Sequence, residues 1–202
     1  MIQYLIPFFS AFIISISITP FIIRFSHRYG YVAEPKENRW HKKPTALLGG
    51  IGIFLSFIIP ALIFVPLNAL TVGVLFCATA IFCLGLYDDL REVKPYTKLV
   101  VQIIITIMII LVGVKVKIIP FAYVAIPLTL FWIVGITNAL NILDNMDGLS
   151  CGITFVASIC ISIYSVQNNL HIVVIFSSIL SGTTLGFLIF NFYPAQIFMG
   201  DC

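Results

Sequence analysis

Met1-Ile-Gln-Tyr-Leu-Ile-Pro-Phe-Phe-Ser-Ala-Phe-Ile-Ile-Ser-Ile-Ser-Ile-Thr-Pro-Phe-Ile-Ile23 opens the chain without a charged side chain. Coiled as a helix at 1.5 Å per residue, it would be about 33 Å long, enough to cross the hydrocarbon core of a bilayer. A secretory signal would begin with basic residues and end in a small-residue cleavage pattern. Neither is present, so the stretch is expected to remain as a first membrane span. Similar apolar stretches follow near 49–66, 70–87, 99–114, 118–136, 150–166 and 171–190. The fourth and sixth reach spanning length only with their flanks, and Pro60, Pro66 and Asn68 are expected to turn the chain between the second and third.

Composition agrees with this pattern. The 202 residues are 60% hydrophobic and 9% charged, whereas an ordinary soluble domain has roughly a quarter of its residues charged. A disordered chain would lack this much apolar surface. The expected fold class is therefore all-α, a polytopic integral membrane protein of about seven transmembrane helices, forming one domain over residues 1–202.

The scarce charges orient it. Arg24, Arg28, Lys36, Arg39, Lys42 and Lys43 lie between spans one and two, and Arg91, Lys94 and Lys98 between spans three and four. Only Lys115 and Lys117 fall on the other side. Since cytoplasmic loops are enriched in Lys and Arg, the N-terminus is expected outside, with the C-terminus and loops 24–48, 88–98 and 137–149 in the cytoplasm. All eight acidic residues, Glu34, Glu37, Asp88, Asp89, Glu92, Asp144, Asp147 and Asp201, then share the cytoplasmic side. A scaffold has no need of that, whereas a cation site or an acid/base site does.

A net charge of +3 without a basic tract gives no footing for nucleic acid. Cys77, Cys83, Cys151, Cys160 and Cys202 are odd in number and lack Cys-x-x-Cys spacing. The first four are expected to be small membrane-buried side chains rather than a disulfide or zinc framework. His27 fits an interfacial position, and His171 falls on the external side with no assigned role.

Four segments carry chemistry. Asp88 and Asp89 are adjacent carboxylates at the end of a span, where desolvation and mutual repulsion call for a counter-cation or a catalytic duty. Lys94 and Lys98 downstream could neutralise them or bind phosphate. Asn138, Asn141, Asp144 and Asp147 recur every third residue, so on a helical or near-helical stretch they project toward one side. Four such oxygen donors suit a hard ion such as Mg²⁺, although an ordinary helix cap, or an amide and carboxylate cluster that only satisfies backbone groups, is the plainer alternative. Phe198-Met199-Gly200-Asp201 adds one carboxylate to the same side. The first loop, with Arg39, His41, Lys42 and Lys43, suits an anionic partner, either lipid headgroups or a nucleotide sugar. It runs into Gly49, Gly50 and Gly52, which permit close helix packing or backbone approach to a ligand.

Together these segments resemble the polyprenyl-phosphate N-acetylhexosamine-1-phosphate transferase family. Asp88-Asp89 with Lys98 and Gln102 is similar to its Asp-Asp motif. Asn138-x-x-Asn141-x-x-Asp144-x-x-Asp147-Gly148-Leu149 is similar to its Asn/Asp motif, and Phe198-Met199-Gly200-Asp201 to its Met-Gly-Asp motif. Arg39-x-His41-x-x-Pro44 before Gly49-Gly50 is closer to the branch that uses UDP-N-acetylhexosamines than to the branch that uses UDP-MurNAc-pentapeptide. The resemblance implies that the phosphate oxygen of an undecaprenyl (polyprenyl) phosphate attacks the β-phosphorus of a UDP-N-acetylhexosamine and releases UMP, initiating a cell-envelope polysaccharide such as O-antigen or teichoic acid. The work would be done at the cytoplasmic face of the cell membrane.

In the family's pattern Asp88 and Asp89 position or deprotonate the lipid phosphate, and Asn141 and Asp201 hold Mg²⁺, for which Mn²⁺ could substitute. Asp144 and Asp147 are the other catalytic candidates, orienting the nucleotide sugar or the metal's surroundings. Lys98, Lys94, Asn138, His41 and Lys43 are the expected substrate contacts. A homodimer is compatible with the resemblance. Two departures stand out: Asn145 occupies a position where the family usually has Gly, and the family continues past Met-Gly-Asp into further helices and a His-containing loop. The chain is therefore expected to be a truncated form, and a catalytically inactive homologue is one alternative. Another is a cation-coupled transporter, which would place its ionisable residues near the bilayer midplane.

Overall fold

The computed structural model describes residues 2–33, 45–91, 93–144 and 146–201. It contains α1 (Ile2–Tyr29), β1 (Val32–Ala33), β2 (Thr45–Ala46), α2 (Gly49–Phe64), α3 (Ala69–Arg91), α4 (Pro95–Leu111), α5 (Ala122–Leu143), α6 (Leu149–Gln167) and α7 (His171–Asn191). Among the described residues, α3, α5, α6, α7 and residues 4–29 of α1 are long and apolar enough to cross a membrane, while α2 and α4 are shorter. Their outward faces carry Phe21, Phe76, Phe131, Trp132 and Ile161, all well exposed. A surface of this kind belongs in lipid, and the protein is a helical polytopic membrane protein.

Helix ends depart from the expected loops. α1 continues six residues past Ile23 to Tyr29, because Arg24, His27 and Arg28 mark a change of solvent without opposing helix formation. The expected loop 88–98 shrinks to the few residues between Arg91 and Pro95, and the expected loop 137–149 to those between Leu143 and Leu149. Pro60 lies inside α2 rather than in a turn. Asn68 instead starts α3, where its Oδ1 accepts the Thr71 amide at 3.0 Å and its own amide donates to Thr71 Oγ1 at 2.9 Å, a reciprocal cap.

The chain divides into two compact units. The first comprises Met1–Pro66 and Leu143–Gly200, and is built on α1, α2, α6 and α7. Along α1, Pro7, Ala11, Ser15, Thr19, Ile22 and Ser26 are buried, a stripe recurring every three or four residues. Gly182 and Gly186 of α7 meet it so closely that a Cβ on Gly182 would lie 2.1 Å from the Phe8 carbonyl oxygen, and one on Gly186 2.7 Å from Ser15 Cβ. Small residues four apart let helix backbones touch where no hydrophobic effect drives association. Ser15 Oγ donates across this seam to the Thr183 carbonyl at 2.9 Å. β1 and β2 form a minimal antiparallel pair, Val32 opposite Ala46, and Ala46 also bridges Ile197.

The second unit comprises Leu67–Ile142 with Asp201–Cys202 and holds α3, α4 and nearly all of α5. In both units many of the hydroxyls along the helices are answered locally. Ser17, Thr19, Ser56, Thr79, Thr106, Thr129, Thr154, Ser181 and Thr184 each donate to the carbonyl four residues back. Polar groups therefore sit in apolar helices without needing water. Cys77 and Cys151 are buried in the protein and Cys83 and Cys160 lie on the outer faces of apolar helices; all four are free thiols, in keeping with the absence of a disulfide framework expected for them.

Candidate active site

In the second unit the polar residues collect at the ends of helices. Asp88 and Asp89 occupy the last turns of α3, and Lys98 the first turn of α4, which Pro95 opens at a position that needs no amide donor. Lys98 Nζ lies 2.8 Å from Asp88 Oδ2 and 2.8 Å from Asp201 Oδ2, tying together residues far apart in sequence. The Lys98 and Asp88 side chains are only 13% and 10% exposed, against 43% for Asp201, so this ammonium is largely removed from water. Asp88 Oδ1 also accepts the Val93 amide at 2.6 Å, which occupies both of its oxygens.

Asp89 differs from its neighbour. Its Oδ1 accepts the Asp201 amide at 2.8 Å, while its Oδ2 is buried without a hydrogen-bond partner. Burial raises the proton affinity of the Asp201 carboxyl, the nearby Asp88 carboxylate raises it further, and Lys98 opposes both; the net shift is upward.

Asn138 donates to Gln102 Oε1 at 2.8 Å and to the Val134 carbonyl at 2.8 Å, joining α5 to α4 through a nearly inaccessible Gln102. Asn141 follows one turn later, half-buried. Lys94 is not drawn into the cluster: its ammonium stands 5.9 Å from the Tyr96 ring centroid, and it forms no ion pair among the described residues. Of the two lysines that could neutralise the carboxylates or bind phosphate, Lys98 is the one that pairs with them among the described residues.

The regular helix does not run through all four residues from Asn138 to Asp147. α5 ends at Leu143, so only Asn138 and Asn141 are helical, and Asp144 and Asp147 belong to the first unit. Asp, Asn and Gly favour local backbone bonding over helix continuation, and Gly148 is left-handed at φ 69°.

In that first unit, Asp144 and Asp147 clasp the stretch after α7. Asp147 Oδ2 accepts the Ala195 amide at 3.1 Å, and Asp144 Oδ2 the Gly200 amide at 3.2 Å. The carbonyls of Phe198 and Met199 accept the amides of Gly49 and Gly50 at 3.1 and 2.7 Å, at the start of α2. A Cβ on Gly49 would stand 2.3 Å from the Phe198 carbonyl oxygen. Of the two expectations for these glycines, close backbone packing is what Gly49 provides.

Asn191 was not foreseen as part of this region, since a lone Asn at a helix end ordinarily signals only a terminus. It is 1% exposed. Its Oδ1 accepts the Gly148 amide at 3.1 Å and its Nδ2 donates to the Ile197 carbonyl at 2.9 Å. His41 and Lys43, with Arg39 and Lys42, lie outside the described residues, as do Asn145, Glu92 and Cys202.

Among the described residues no three His, Cys, Asp or Glu side chains come together as an ion cage. Mg²⁺ does not require one, because it is commonly held by one or two carboxylates with substrate phosphates and water completing its shell. The neighbouring carboxyls of Asp89, with its orphaned Oδ2, and Asp201 are all-oxygen donors of the kind such an ion takes.

Long apolar helices bearing acids, amides and a largely buried ammonium at their ends define a polytopic membrane protein. Residues 71–202 match glycosyl transferase family 4, and the chain belongs to that family. It is 33% identical over 215 aligned positions to the probable undecaprenyl-phosphate N-acetylglucosaminyl 1-phosphate transferase of Bacillus subtilis, covering 100% of this chain and 59% of the relative. It is 31% identical over 224 positions to the phospho-N-acetylmuramoyl-pentapeptide-transferase of Lactobacillus gasseri, covering 98% and 70%. Against the decaprenyl-phosphate N-acetylglucosaminephosphotransferase of Mycolicibacterium smegmatis it is 32% identical over 202 positions, covering 86% and 50%. The chain thus spans between half and seven tenths of the length of these curated relatives.

Proposed function

We propose that this chain belongs to a membrane phosphotransferase that moves an N-acetylhexosamine 1-phosphate from a UDP-sugar to a polyprenyl phosphate, releasing UMP, and so begins a cell-envelope polysaccharide. The observation that carries this reading is the Lys98 ammonium held 2.8 Å from both Asp88 and Asp201, in a family whose relatives include polyprenyl-phosphate sugar-phosphate transferases. A phosphate attacking a pyrophosphate brings like charges together, and fixed cations lower that barrier. Lys98 supplies one such charge at a helix end, within reach of a lipid headgroup.

Mg²⁺, when bound, would neutralise pyrophosphate charge as a Lewis acid, with Asp201 and Asn141 as its protein ligands. Asp88 is committed to Lys98 and to the Val93 amide, so it orients the ammonium; Asp89 retains one unengaged oxygen for the lipid phosphate or for the ion. On this reading the seven apolar stretches are spans, and the distribution of Lys and Arg orients them with an external N-terminus and a site at the cytoplasmic face. The ionisable residues of the long helices sit in their terminal turns, which favours interfacial chemistry over transport through the midplane.

The test incubates membranes holding this chain with radiolabelled UDP-N-acetylhexosamine, polyprenyl phosphate and Mg²⁺. Lipid-linked sugar and UMP are expected in equal amounts. If neither forms while the Bacillus subtilis relative, assayed alongside, yields both, the reading fails for this chain.

A further inference from the structure

We infer that Asn191 is a positioning residue for the transfer: its carboxamide sets the register of residues 195–200 against Gly148. This rests on the reading above, because residues 195–200 lead directly into Asp201, the proposed metal ligand. The amide has one acceptor and one donor end, and the structure uses them in opposite directions. Oδ1 takes the Gly148 amide at 3.1 Å and Nδ2 gives to the Ile197 carbonyl at 2.9 Å. Asn191 is 1% exposed and Ile197 0%, so water cannot replace either bond without opening the region. Leu has nearly the same shape but offers neither end, and Asp lacks the donor unless protonated.

Asp144 and Asp147 also join these segments, through the Gly200 and Ala195 amides, but both are only part-buried and can exchange those bonds with water. A neutral, sealed crosslink is better suited to fixing geometry, and it spares the two carboxylates for charge work. Asn191 does not reach the reacting atoms in this account; it acts through the backbone it holds.

Hydrogen exchange and kinetics on the full chain in membranes or micelles test the assignment. Asn191→Leu should speed exchange by roughly tenfold or more in peptides covering 146–150 and 195–200, since two buried bonds are lost. Peptides covering 11–22 of α1 should be unchanged, and the Mg²⁺ concentration for half-maximal product formation should rise several-fold. Asn191→Asp, which keeps the acceptor for Gly148, should give an intermediate effect centred on 195–200 and guards against a misfolded Leu variant. Unchanged exchange in both segments overturns the inference. So does exchange rising equally in α1, which would mark a general folding residue, and so does local loosening with the Mg²⁺ dependence unmoved. If the unsubstituted chain forms no lipid-linked sugar, the functional reading has failed, and exchange alone then decides whether the crosslink exists.

Discussion

Replacing Gly182 with Ala should separate α7 from α1. The added Cβ would fall 2.1 Å from the Phe8 carbonyl oxygen and 3.2 Å from the Phe12 amide nitrogen, and real Cβ atoms essentially never come within 3.0 Å of such neighbours. Both obstacles are backbone, so neither can rotate away, and the helices must part by roughly 1 Å. That displacement takes the Ser15 to Thr183 bond, now 2.9 Å, out of hydrogen-bond range. Overpacking costs about 1–3 kcal/mol and the lost bond about 0.5–1.5 kcal/mol, while the helix propensity of Ala returns up to about 1 kcal/mol. The net expectation is a destabilisation of about 2 kcal/mol. Equilibrium unfolding in mixed detergent micelles, followed by circular dichroism, measures it. Gly152→Ala is the control, because a Cβ there meets nothing within 4 Å; it should be neutral or stabilising by up to about 1 kcal/mol. If Gly182→Ala unfolds at the same point as Gly152→Ala, backbone contact between α1 and α7 is not what holds the first unit together.

Other substitutions separate positioning from charge. Asp147→Asn keeps an oxygen for the Ala195 amide and should unfold within about 0.5 kcal/mol of the parent, whereas Asp147→Leu should cost about 1–1.5 kcal/mol, since water can reach the freed amide; equal losses would contradict the clasp. Lys98→Met leaves Asp88 and Asp201 without their shared cation and should lower transfer at least tenfold, with partial recovery in Lys98→Arg, as measured by lipid-linked sugar formation. Asp201 binds its proton more tightly when folded, so its contribution to stability is full below the ordinary carboxylate value of about 4 and is lost as pH rises through the raised value. Asp201→Asn should remove that step from a stability-versus-pH curve while weakening the response of transfer to Mg²⁺; a step that persists would assign it to another group.

Much of this was legible because lipid leaves the sequence few choices. Uninterrupted apolar stretches can only be helices, and the helical segments fall where those stretches do. Lys98 beside Asp88 was one of two pairings the spacing allowed. The helix ends were harder: Arg24 to Arg28 records where water begins, and the backbone of α1 coils on through them. The regular spacing from Asn138 to Asp147 suggested one face, but Gly148 and the carboxylates' preference for backbone amides ended the helix at Leu143. The spacing Gly182-x-x-x-Gly186 passed unused at the level of sequence, because its partner α1 lies 168 residues away, as Ser15 and Thr183 show. Asn191 carried no such signal, since its importance comes from two backbone groups that only the fold brings to it.

The hydroxyls that bond back to their own helices also bear on how the protein enters the bilayer. Translocation machinery hands helices to lipid one or a few at a time, before distant partners exist. α7 carries Ser177, Ser181 and Thr184, whose donors are already occupied by carbonyls of their own turns. Such a helix can partition into hydrocarbon alone and wait, so insertion of α7 need not be simultaneous with its docking on α1. Thr183 Oγ1, buried and without a hydrogen-bond partner, and Ser178, which bonds to Ser162 of α6, are exceptions.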